Sequence, residues 1–63
     1  MLSAIELRVE QKRRLYQLLA IRESEKKTFG SIDPVLEEFI FQTIAEMEEQ
    51  DVAYVEKQIA RRR

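Results

Sequence analysis

The sequence contains no cysteine, no histidine and no tryptophan, and only one glycine and one proline. Without cysteine there are no disulfides, and without cysteine or histidine the common zinc sites are excluded. The same absences remove every Ser-His or Cys-His nucleophile pair, and a single glycine cannot build a glycine-rich phosphate loop. An excess of one charge is missing as well. Eleven basic against twelve acidic residues leave a net charge of -1, with no global pull towards nucleic acid or an anionic membrane. The longest apolar run, Leu18 to Ile21, falls far short of the ~20 residues that cross a bilayer. Met1-Leu2-Ser3-Ala4 has neither the basic region nor the apolar core of a signal peptide. These absences point to a soluble, cytoplasmic protein that is not an enzyme, with no cofactor, no metal and no membrane partner.

What is present is helix-forming: 44% hydrophobic and 37% charged residues in a chain of 63. A chain below about 70 to 80 residues without bridges or metals depends on unusually good helix packing or on association. One segment combines the breakers, Thr28-Phe29-Gly30-Ser31-Ile32-Asp33-Pro34. It supplies a glycine for the left-handed C-terminal cap, an N-cap aspartate and a proline for the first helical position. Ser3-Ala4-Ile5-Glu6 fits a capping box, and Leu2 with Leu7 fits the hydrophobic staple that accompanies one. The expected organisation is a single domain, 1–63, with a first helix over about 3–27, a turn over 28–33 and a second helix over 34–60. The fold class is all-α: an antiparallel two-helix hairpin, completed as a dimeric four-helix bundle.

Ile5, Val9, Lys12, Leu15, Tyr16, Leu19 and Glu23 share one face of the first helix by three-and-four spacing. Leu36, Ile40, Ile44, Met47, Asp51, Tyr54 and Val55 share one face of the second. In an antiparallel hairpin, residues whose numbers add to about 60 lie at one level, so Leu19 meets Ile40, Tyr16 meets Ile44 and Ile5 meets Val55. Lys12 and Asp51 are charges at nearby levels of this seam and are expected to pair or to reach water at its edge. Leu7, Leu18, Ile21, Phe41, Ala45, Val52 and Ile59 stand roughly 100° or more off the seam. Clustered outer apolar residues of this kind mark a contact surface, and these seven are the expected partner interface.

Charge is segregated along the chain. From Thr28 to Glu56 there are eight acids and no base, and from Arg8 to Lys27 seven bases against three acids. Folding back lays the two stretches side by side, which favours the antiparallel orientation. Lys12-Arg13-Arg14 and Arg61-Arg62-Arg63 form the basic patches that would contact phosphate, but no interleaved aromatics offer stacking.

Leu18-Leu19-Ala20-Ile21-Arg22 and Ile32-Asp33-Pro34-Val35-Leu36-Glu37-Glu38-Phe39-Ile40 loosely resemble the first and last helices of the all-helical chorismate mutases. That resemblance implies a helix-borne arginine, here Arg22, that contacts substrate carboxylates. The reading that composition and periodicity support is different: a non-catalytic protein-protein interaction module, a small adaptor or regulatory subunit, acting as a homodimer or with a protein partner. The alternatives are an RNA-binding hairpin dimer, a small secretion-type co-chaperone and a mutase-like enzyme. The near-neutral charge argues against nucleic acid.

Overall fold

Local signals set the first two helices. In the computed structural model, which describes residues 3–62, the first helix, α1, spans Ala4–Phe29. Ser3 caps it: the Glu6 N–H donates to Ser3 Oγ at 3.2 Å, satisfying one of the free donors of the first turn. The expected staple partner Leu2 lies outside the described residues. At the other end Gly30, at φ 75°, donates its N–H to the Lys26 carbonyl at 2.9 Å. α1 therefore runs two residues beyond the expected Lys27, to the glycine that can adopt the left-handed conformation. Asp33 Oδ1 accepts the Val35 N–H at 2.8 Å, Pro34 takes the first helical position, and α2 spans Pro34–Ala45.

The expected continuous helix over 34–60 does not form. α2 stops at Ala45, a turn over Glu46, Met47 and Glu48 reverses the chain, and α3 spans Glu49–Arg62. Contacts fix the directions. α2 descends along α1, with Glu37 at Arg22 and the Glu46 carbonyl at Gln11. α3 climbs again: Asp51 sits at Arg8, Tyr54 at Lys12, and Ile59 shares a groove with Leu19 and Lys26. The fold is an up-down-up arrangement of three helices, with no strand among the described residues. α2 and α3 each pack along α1 and approach one another only weakly.

Burial explains the reversal. On a straight second helix Val55 would reach the level of Ile5 and Ile59 would pass beyond the start of α1. Turning back instead brings the Asp51, Val55 and Ile59 stripe onto the apolar middle of α1. Leu15, Ile40 and Val55, one from each helix, form the buried core, with Tyr16, Leu18, Leu19, Leu36, Ile44, Met47 and Val52 packed around it. Each fully buried side chain of this size contributes about 1.5–3 kcal/mol. Leu19 with Ile40 and Tyr16 with Ile44 thus belong to one packed region. Ile5 does not meet Val55; it is exposed, as are Val9 and Tyr54.

Candidate interaction surface

Two features stand out on this framework, a charged clasp at the second turn and an apolar outer surface centred on α2. The clasp is built on Asp51, which α3 carries in its first turn and which is buried. Arg8 reaches it with both arms, Nε to Oδ2 and Nη2 to Oδ1, each at 3.0 Å. The same guanidinium stands 3.6 Å from Glu48. Paired bonds of this kind match the planar guanidinium fork. Hydrogen bonding to Arg8 holds the Asp51 carboxyl below the usual carboxylate range against the opposing effect of burial, with the Arg8 and Lys12 charges adding to it. Arg8 in turn is held more firmly protonated by Asp51 and Glu48.

Of the two outcomes expected for Lys12, direct pairing with Asp51 does not occur, and the residue is only half-buried. Its Nζ stands 5.2 Å from the centre of the Tyr54 ring, within cation–π range. Arg8, one helical turn earlier on the same face as Lys12, is the residue that sequence reasoning missed. No buried side-chain polar atom among the described residues lacks a partner. With both Asp51 oxygens engaged by Arg8, the cluster ties α1 to the start of α3. No group of acidic residues among those described is arranged to hold a metal ion.

The seven expected interface residues separate into two sets. Ile59, at 5% exposure, belongs to the chain's own interior, and Leu18 and Val52 are half-buried against the core. On a straight helix Ile59 faces outward; the reversal at Glu46 to Glu48 turns that face onto α1. Leu7, Ile21, Phe41 and Ala45 remain exposed. Val35 and Phe39 join them, 58% and 56% exposed beside Phe41 at 67%.

At 100° per residue, Leu36, Ile40, Thr43 and Ile44 form the inner arc of α2. Val35 and Phe39 lie on one flank and Phe41 and Ala45 on the other. Thr43, the polar member of the inner arc, is satisfied within its own helix by donating Oγ1 to the Phe39 carbonyl at 2.8 Å. Val35, Glu38, Phe39 and Gln42 line a shallow groove on the first flank. The signal was present in the sequence, since α2 carries apolar residues on three sides.

A second groove follows from the direction of α3. The last turns of α1 and α3 come to the same end of the bundle, so Arg62 joins Lys26 and Lys27 around an open groove with Ala20, Glu23 and Ser24. These cations also lie where helix C-termini favour positive charge. Arg22, the arginine singled out by the mutase resemblance, bonds Glu37 through Nε at 3.0 Å.

The fold and surface define a class, a small three-helix bundle with an exposed apolar helix. No helix among the described residues is long and apolar enough to cross a membrane. No protein family matches the chain, and comparisons with curated proteins and with solved structures find no match either.

Proposed function

We propose that the chain is a non-catalytic protein-interaction module, an adaptor or small regulatory subunit, that binds through the exposed apolar flanks of α2. The observation that carries this reading is the exposure of Val35, Phe39 and Phe41 on a twelve-residue helix. Large apolar side chains grouped on one element are a more informative feature than the scattered exposed residues any surface has. Self-association is the simplest use of such a surface. With three helices per protomer, a dimer built on intact protomers would bring together six helices rather than four. The engagement of Arg8, Arg13 and Arg22 by carboxylates favours a protein partner over RNA, because phosphates would have to displace those contacts. Arg22 in a mutase-like role faces the same competition from Glu37.

The test compares the wild-type chain with the Phe39→Asp, Phe41→Asp double variant by sedimentation and by retrieval of partners from the native cell. The expected result is a wild-type mass above the 7.5 kDa protomer, or a retrieved partner, lost in the variant while its helical circular dichroism persists. A monomeric wild-type chain that retrieves nothing beyond what the variant retrieves overturns the reading.

A further inference from the structure

The two turns of the bundle are made in different ways. The first is written into the local sequence: Gly30 in the left-handed conformation, the Asp33 cap and Pro34. The second has no such signal. Ala45-Glu46-Met47-Glu48-Glu49-Gln50 consists entirely of good helix formers, and the only positive φ among the described residues is that of Gly30. Glu46, at φ -90° and ψ -6°, is still in the right-handed region. The backbone ladder breaks only briefly, from the Met47 N–H bonded to Ile44 to the Asp51 N–H bonded to Glu48.

Tertiary contacts hold this turn. The Gln11 side-chain amide donates to the Glu46 carbonyl at 3.4 Å, Arg8 reaches Glu48 and Asp51, and Met47 rests against the core. α3 owes its position to α1 and scarcely touches α2. Local preference and tertiary packing therefore oppose each other at one place. Joined through the turn, α2 and α3 would make one helix from Pro34 to Arg62, about 43 Å long at 1.5 Å per residue. That helix regains the interrupted backbone bonds but carries α3 away from its own α1.

We propose that two copies of this chain exchange α3, each laying it on the α1 of the other while Glu46 to Glu48 straighten. The occupant of the vacated α1 face is a second copy because only that copy supplies the same Asp51, Tyr54 and Val55 for Arg8, Lys12 and Leu15. Every contact of α3 with α1 is then kept and becomes intermolecular, which is how exchange forms a dimer at little cost. The exchanged dimer is elongated, two three-helix units end to end linked by the pair of long helices. It does not use the outer flanks of α2, so it stands or falls separately from the proposed interaction surface.

The experiment transplants the signal of the first turn into the second. Glu48→Asp with Glu49→Pro recreates the Asp-Pro pair at the start of α3. Proline is tolerated at a first helical position and disfavoured inside a continuous helix. A second hinge variant, Glu46→Gly, changes an exposed residue and penalises the continuous helix without touching the core.

Wild-type chain concentrated to the millimolar range is expected to form an elongated dimer by sedimentation and small-angle scattering. Glu48→Asp/Glu49→Pro should raise the dissociation constant by at least about tenfold, and Glu46→Gly should move it the same way by a few-fold, with helicity retained in both. The chain has no cysteine, so Lys12→Cys and Tyr54→Cys chains, mixed, concentrated and treated with a short bis-maleimide that spans the gap left by the two long side chains, should give a crossed covalent dimer that the locked hinge suppresses. Phe39→Asp/Phe41→Asp should leave that crossed dimer in place. A dimer insensitive to both hinge variants overturns the proposal, as does failure of the mixed cysteine chains to cross-link between copies.

Discussion

Leu15 has no accessible surface and touches the cores of the other two helices through Ile40 and Val55. Truncating it leaves a cavity that the surrounding helices fill only in part, so Leu15→Ala should cost about 2–5 kcal/mol. A chain of this size has roughly 3–9 kcal/mol in total. Urea titration by circular dichroism should therefore find the variant largely unfolded or close to it; a midpoint unchanged from wild type would contradict the packing. Asp51 governs a different dependence. Its folded-state carboxyl lies below the ordinary range, so its contribution is present above that range and is lost as pH falls through the depressed value. Asp51→Asn should be less stable than wild type at pH 7, and the gap should close as pH drops below about 4. A gap that is constant or widens in acid would show that the Arg8 pair adds no pH-dependent stability. The sequence placed Asp51 on an inner face but not its partner: Arg8 lies one turn before Lys12 on the same face, and it is the Arg8 guanidinium that reaches both carboxylate oxygens.

At the scale of the element, the features legible in the sequence are those with local chemical causes. The Ser3 cap, the Gly30 stop and the Asp33-Pro34 start each depend on residues within one turn of themselves, and each appears where its residue type demands. The break at Glu46 to Glu48 was not legible: its residues favour helix, and the forces that end α2 there come from α1. The same contrast makes the first turn testable by single substitutions. No atom crowds the position that a Gly30 side chain would take, so Gly30→Ala should pay only the left-handed conformational penalty, about 1–2 kcal/mol. Asp33→Ala should lose about 0.5–2 kcal/mol with the cap. At ~4–8 °C per kcal/mol for a domain of this size, both are measurable as lower melting temperatures. A Gly30→Ala melt equal to wild type would mean that α1 ends by another route.

At the scale of the whole molecule, the extents are 38 × 25 × 18 Å, and among the described residues only Leu15, Ile40, Val55 and Ile59 are buried apolar residues. So small an interior is what makes the proposed association the expected source of further stability. The small interior follows from length and composition; which apolar residues stay outside does not, because the direction of α3 turns Ile59 inward. When folding is linked to assembly, stability rises with concentration, by about 2.7 kcal/mol for a hundredfold excess over the dissociation constant. Between micromolar and millimolar chain the wild-type melt should therefore climb by about 10 °C or more. Scanning calorimetry on two variants separates the routes. If the outer flanks of α2 associate, Phe39→Asp/Phe41→Asp flattens the concentration dependence and the Asp-Pro hinge does not. If α3 is exchanged, the hinge variant flattens it and the surface variant does not. A wild-type melt independent of concentration would mean that the four buried residues and the Arg8 clasp suffice without a partner, and would count against both forms of self-association.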